Sequence, residues 1–198
     1  MRIAILALQG DFAEHEAVFK RLNIPTCQLR QKRDLEQDFD ALVLPGGEST
    51  VQGKLLRELD MFEEIRMRIK NGLPVMATCA GTILLAQQLL DDPTVHLGTM
   101  GISVRRNAYG RQLSSFHTVG KFAGIQDVPM SFIRAPKIEF CVPGAEVLAE
   151  HDGRITAVRQ GNQLAMTFHP ELGSDCRIAE YFLSEMVSLR PVKITGVN

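Results

Sequence analysis

The sequence predicts an α/β fold: a single domain on a mixed, mostly parallel central sheet, with helices on both faces. Three observations predict it. Short apolar runs recur through the first half, at Arg2–Leu8, Ala41–Leu44 and Pro74–Thr78, with helical patterns between them. The second half strings strand-like segments together with few helices, which adds antiparallel strands there. The length of 198 residues suits one domain, residues 1–198, and a chain of that size buries roughly 70% of its unfolded surface.

The elements follow in order. Arg2–Leu8 reads as a buried strand, and the six apolar residues Ile3–Leu8 are too few for the apolar core of a signal peptide. Asp11 is placed to cap a helix reaching about Leu22, with Phe12, Phe19 and Leu22 on one face. Pro25–Leu29 and Ala41–Leu44 are strands, the second stopped by Pro45-Gly46-Gly47. Helical patterns run from about Thr50 to Asn71, broken near Asp60, and Gly72 suits the position after a helix end. Pro74–Thr78 reads as a strand and Ala80–Leu90 as a helix. Gly98–Val104, Phe116–Phe122, Met130–Ile133, Val147–His151, Ile155–Gln160 and Gln163–Phe168 read as strands, the last two joined by a Gly161-Asn162 turn. A final helix covers about Cys176–Leu189. The charge-free stretch between Lys70 and Asp91 approaches a membrane span in length. Asn71, Gly72, Pro74, Gly81, Gln87 and Gln88 interrupt it, so a strand, a turn and a helix fit it better.

Composition excludes several classes. Hydrophobic residues make up 45% and charged residues 23%, as in globular proteins rather than disordered or fibrous ones. Lys+Arg number 22 against 23 Asp+Glu, a net charge of -1, so nothing marks an electrostatic nucleic-acid binder or a membrane-surface protein. The four cysteines, Cys27, Cys79, Cys141 and Cys176, form no C-x-x-C pair, which argues against a zinc site. Together with the missing signal peptide they imply a reducing, cytoplasmic setting.

Three fragments carry chemistry. Val75-Met76-Ala77-Thr78-Cys79-Ala80-Gly81-Thr82 brings an apolar strand into a helix with a cysteine at the junction and small residues beside it. This is the pattern of a nucleophile elbow, whose tight turn excludes bulky neighbours. The helix start favours a thiolate, and the Ala80 N–H would point where an oxyanion forms. Taken alone, the window also fits a buried core cysteine. In Phe168-His169-Pro170-Glu171, Pro170 biases His169 toward the extended region, where residues i and i+2 share a side. Glu171 can then orient the imidazole, as in a nucleophile–base–orienter triad. His15, His96, His117 and His151 lack such partners and read as surface or helper residues. Pro45-Gly46-Gly47-Glu48-Ser49-Thr50 sets two glycines between a strand and a helix. Gly47 to Gly53-Lys54 misses the phosphate-loop pattern by one residue, and Leu55 replaces the magnesium-binding hydroxyl, so an oxyanion donor at the Gly47 N–H is the better use.

In this order the three fragments resemble class I (triad) glutamine amidotransferases, a flavodoxin-like fold. With Leu8-Gln9-Gly10-Asp11, Arg106-Asn107-Ala108-Tyr109-Gly110-Arg111-Gln112 and Phe132-Ile133-Arg134-Ala135-Pro136, the chain is similar to the glutaminase subunits of pyridoxal 5′-phosphate synthase from Ile3 to the final helix. The resemblance implies hydrolysis of L-glutamine to glutamate and ammonia, and delivery of that ammonia to a barrel-shaped synthase subunit for vitamin B6 synthesis. It implies a triad of Cys79, His169 and Glu171, and glutamine binding by Gly46, Gly47, Glu48, Arg106, Ile133 and Arg134. It implies no metal or organic cofactor. An arginine suits the α-carboxylate of glutamine and a glutamate its α-ammonium. Ala77, Ser114, His117 and Gly173 depart from the family pattern. Two other readings remain: a glutaminase serving a different synthase, and a catalytically silent glutamine-binding module.

Overall fold

The computed structural model describes residues 1–106 and 115–188. Five helices and twelve strands alternate through them. In chain order they are β1 (Ile3–Leu6), α1 (Phe12–Arg21), β2 (Thr26–Leu29), β3 (Ala41–Leu44), α2 (Ser49–Glu58), α3 (Phe62–Lys70), β4 (Val75–Thr78) and α4 (Ala80–Leu85). There follow β5 (Ala86–Leu89), β6 (Met100–Arg105), β7 (Ser115–Phe122), β8 (Ile125–Ile133), β9 (Lys137–Cys141), β10 (Glu146–His151), β11 (Arg154–Gln160), β12 (Gln163–Met166) and α5 (Arg177–Phe182).

The central sheet runs β2-β1-β3-β4-β12-β11-β9-β6-β5, with β10 also paired to β11. Its first five strands are all parallel, because each crossover between them is long enough to turn the chain back. The antiparallel pairings of this sheet, β11–β12, β9–β11, β6–β9 and β10–β11, all lie in the second half of the chain, the half where the sequence predicts antiparallel strands. Alternation sorts the two faces. Ala4, Leu6, Leu42, Leu44, Val75 and Ala77 pack toward Leu56, Ile65, Ile69 and Leu84 of α2, α3 and α4. Ile3, Ile5, Val43 and Met76 pack instead with Val18 and Phe19 of α1 and with Ile178, Ala179 and Phe182 of α5. Residues i and i+1 of a strand point to opposite faces, so a strand apolar throughout is one covered on both sides.

Four details differ from the sequence reading. The helix predicted over Ala80–Leu90 ends at Leu85, and the chain continues as β5. Leu, Ala and Gln are good helix formers, but β5 pairs with β6 (Ala86 with Met100, Leu89 with Val104), and that pairing outweighs propensity. β8 begins at Ile125 rather than Met130. The run contains Pro129, which β8 accommodates because β7 and β8 form a separate two-stranded sheet in which β8 has one strand neighbour. β9 was missed altogether. The last helix is α-helical only from Arg177 to Phe182 and then widens into a π turn, Leu183–Val187; Leu189 lies outside the described residues. No helix among the described residues is long and apolar enough to cross a membrane.

Candidate active site

Parallel strands β3, β4 and β12 end side by side, and the loops leaving their C-terminal ends make the site. At the end of β4 the backbone turns at Cys79, with φ 46° and ψ −101°. A non-glycine residue with positive φ costs about 1–3 kcal/mol unless its surroundings hold it there. Here the Cys79 N–H donates to the Met166 carbonyl at 2.8 Å, and the Thr82 hydroxyl donates to the same carbonyl at 2.6 Å. Gly81 lets the new helix pass against β3, since a Cβ there would lie 2.1 Å from the Leu44 carbonyl oxygen. The elbow anticipated from small residues is therefore present, and Cys79 is 7% exposed.

His169 follows β12 and is anchored by its N–H on the Ser131 carbonyl, 2.8 Å away. Its carboxylate partner arrives by a different route from the extended one predicted. Pro170–Leu172 form a single 3-10 turn, and that turn folds Glu171 back beneath the ring. His169 Nδ1 and Glu171 Oε1 are 2.8 Å apart, both side chains buried. A second carboxylate, Asp11 Oδ2, stands 3.3 Å from the same nitrogen. Burial by itself favours the neutral ring, but Asp11, Cys79 and Glu171 outweigh it and push the imidazole up to about 12. The carboxylates thus favour the imidazolium of His169 at neutral pH. Gly46 makes the space for it: a Cβ there would sit 2.3 Å from His169 Cε1.

The glycine turn after β3 is pinned from several sides. Gly47 has φ 144°, and a Cβ on it would lie 2.5 Å from Gln9 Oε1. That oxygen accepts the Glu48 N–H at 2.7 Å. Gln52, fully buried in the first turn of α2, donates from Nε2 to the carbonyls of Gln9 and Pro45 at 2.9 and 3.2 Å. Glu48 caps α2, its carboxylate accepting from the Thr50 and Val51 N–H groups at 3.2 and 2.8 Å. Burial works against its charge, but those bonds and Arg106 nearby prevail and hold the carboxyl below its ordinary range.

A cleft of about 390 Å³ opens over these groups, lined by Gln9, Asp11, Gly47, Glu48, Cys79, Arg106, Ile133, Arg134 and His169 among others. That is the size of a small-molecule site, roughly 300–1,000 Å³. Arg106 reaches it from the end of β6, tethered to Asp92 at 2.8 Å. Arg134, with φ 43°, turns the chain at the end of β8. Asp11, His169 and Glu171 also offer three ligand atoms within 4.8 Å of one another. Those atoms already meet around the Nδ1 proton, which accounts for their proximity as a hydrogen-bonded group.

The cleft thus sets a thiol at a strand-to-helix turn beside the His169 imidazole, a pairing whose chemistry suits nucleophilic catalysis. Residues 5–188 match the model of the SNO glutamine amidotransferase family. The chain belongs to that family. It is 52% identical over 186 residues, 94% of each chain, to the pyridoxal 5′-phosphate synthase subunit PdxT of Desulfitobacterium hafniense. It is 50% identical over 188 residues to the PdxT subunit of Methanocorpusculum labreanum, covering 95% of this chain and 98% of that one. A crystal structure described as a glutamine amidotransferase superposes with a TM-score of 0.89 at 43% identity, covering 94% of this chain and 99% of that chain.

The cleft gathers nearly every residue that the sequence singled out. Cys79, His169, Glu48, Gly47, Arg106, Ile133 and Arg134 meet at the cleft, Glu171 lies directly behind His169, and Gly46 backs the imidazole rather than lining the cleft. Ala80 is 1% exposed at the start of α4. Residues 107–112 and Ser114 lie outside the described residues. Sequence reasoning missed three groups. The Asp11 side chain makes no helix-capping bond and turns to His169 instead. His15, read as a surface or helper residue, is 1% exposed, with Nε2 3.1 Å from Thr78 Oγ1 and 3.5 Å from Glu171 Oε1. His96, read the same way, is 5% exposed against Gly53. The four-residue spacing of Asp11 and His15 was the available signal, since it puts both on one side of α1.

Proposed function

We propose that this chain is the glutaminase subunit of a pyridoxal 5′-phosphate synthase. It hydrolyses L-glutamine to L-glutamate and ammonia through a Cys79 thioester, and it passes the ammonia to the barrel-shaped synthase subunit of a large hetero-oligomeric complex. The observation that carries the reading is the group Cys79, His169 and Glu171: a strained cysteine and an imidazole at one cleft, with a buried carboxylate 2.8 Å behind the ring. The PdxT relatives, matched along nearly their whole length, support the pathway. One sheet taking strands from both halves of the chain supports the reading of a single glutaminase domain. The four free cysteines fit a cytoplasmic setting.

The reaction runs on this chain's own groups. The Cys79 thiolate attacks the carboxamide carbon. The C–S bond forms as the carbonyl pair moves to oxygen, where the Gly47 and Ala80 N–H groups receive the charge. On collapse the C–N bond breaks, and the nitrogen takes the His169 Nε2 proton and leaves as ammonia. Neutral His169 then removes a proton from water, which displaces the thiolate and releases glutamate. Glu48 and Arg106 hold the α-ammonium and α-carboxylate, and Ile133 and Arg134 close the cleft's other wall. The test is glutamate release from L-glutamine in the presence of the synthase subunit. Release abolished by Cys79→Ala supports the reading, whereas release unchanged in that variant overturns it. Coupling to a different synthase, or none with glutamine still bound, would assign the chain to one of the two other readings.

A further inference from the structure

His169 Nδ1 carries one proton and faces two carboxylates. Glu171 Oε1, at 2.8 Å, is the shorter contact and is wholly buried. Asp11 Oδ2, at 3.3 Å, comes off the loop that precedes α1, and its side chain is 36% exposed at the cleft. Asp11 occupies the position before the first residue of α1, where an aspartate ordinarily caps the helix, yet its side chain makes no such bond. Its backbone N–H meanwhile donates to the Gly46 carbonyl at 3.2 Å, which fixes the loop against the glycine turn. The residue is thus tied at its backbone to one half of the machinery and at its carboxylate to the other.

We propose that Asp11 is a second carboxylate partner of His169, a positioning residue that shares Nδ1 with Glu171 and stabilises the protonated ring. The inference rests on the glutaminase reading for its catalytic consequence. The charged and titratable groups facing the ring are Asp11 and His15 from the α1 side, Glu171 from the 3-10 turn and Cys79 from the elbow. Buried His15 is held toward its neutral form by desolvation, so Asp11 and Glu171 supply the negative charge. The extra charge matters most in the second half of the reaction. Once Cys79 is acylated its sulfur no longer bears charge, and neutral His169 must take a proton from water. A carboxylate near Nδ1 favours the imidazolium that this step creates. With Asp11 neutralised, hydrolysis of the thioester slows while binding of glutamine does not.

The test compares wild type with Asp11→Asn, Asp11→Glu and, as a control for charge at the start of α1, Glu14→Gln, each with the synthase subunit. The Asp11 side chain has no capping bond to lose and asparagine is nearly its size, so Asp11→Asn preserves the fold and removes the charge; Asp11→Ser serves the same purpose if it does not. The expected result is a fall in kcat of about tenfold with KM little changed, and an alkaline limb of the pH profile lower by about one unit or more. Asp11→Glu and Glu14→Gln should keep the limb in place. An imidazole NMR titration of His169 in Asp11→Asn, which needs no turnover, should show earlier deprotonation. Superimposable profiles and titrations, a loss confined to KM, or equal shifts in Asp11→Asn and Asp11→Glu would each overturn the proposal. A wild-type chain that releases no glutamate would instead fail the glutaminase reading, leaving the NMR titration to decide on Asp11.

Discussion

His169 and Glu171 are two residues apart and meet at 2.8 Å without the extended segment that would put their side chains on one side. A proline-initiated 3-10 turn does it. The turn buries the carboxylate completely, so its charge is neutralised by the ring rather than by water. Glu171→Gln should therefore keep the fold but lose orientation and charge, lowering kcat by roughly 10³–10⁴-fold, the scale seen when a triad loses its orienting carboxylate. Steady-state glutaminase assays with circular dichroism on the same samples check this.

The protonated state of His169 gives a sign for pH. Its imidazole is raised from 6.5 to about 12 in the fold. A raised base contributes stability that is complete below pH 6.5 and is lost as the pH climbs toward 12. The chain should accordingly lose melting temperature from pH 7 to pH 10, and ¹⁵N spectra of labelled histidine should report an imidazolium at residue 169 through pH 9. Asp11 works in the opposite direction, because His169 holds its carboxyl below 3.8 and its contribution fades only in acid.

Gly46 is a test of space rather than charge. Adding one methyl group there meets His169 Cε1 at 2.3 Å and Asp11 Oδ2 at 2.9 Å. Gly46→Ala should displace the imidazole and reduce kcat at least 100-fold, on the order of the loss expected when a base is misplaced by about 1 Å. Cys79 should still react with a glutamine-analogue electrophile, more slowly, which separates a displaced base from an unfolded site.

Gln52 tests the turn itself. Its buried amide holds the Gln9 and Pro45 carbonyls from inside. Gln52→Ala leaves those carbonyls without that donor and opens a void, at a combined cost of about 2–4 kcal/mol. We expect a lower melting temperature together with a lower kcat, because the Gly47 N–H is then less well aimed. Thermal melts paired with kcat on each sample check it.

Much of this was legible in the sequence. The parallel strands, the elbow at Cys79 and the glycine turn follow from local rules: apolar runs, small residues at a junction, and glycine where positive φ is needed. What escaped was decided by contacts distant in sequence. β5 is a strand because β6 lies beside it, and nothing in its own residues says so. Asp11 looks like a helix cap because capping is what an isolated aspartate does before a helix. Only the fold brings His169, far along the chain, to its side. His15 read as a surface or helper residue because its partners are Thr78 and Glu171, groups that local periodicity does not reveal, and Gln52 was not singled out because its partners are backbone carbonyls.

The central claim is that Cys79 releases ammonia from glutamine with His169 as its acid and base. Glutamate release from L-glutamine, measured with and without the synthase subunit for wild type and Cys79→Ala, tests it most directly. The account predicts release that rises with the synthase subunit and vanishes in Cys79→Ala. Release that persists in Cys79→Ala, or wild-type chain that is inert with the synthase subunit while its Cys79 resists a glutamine-analogue electrophile, would contradict it.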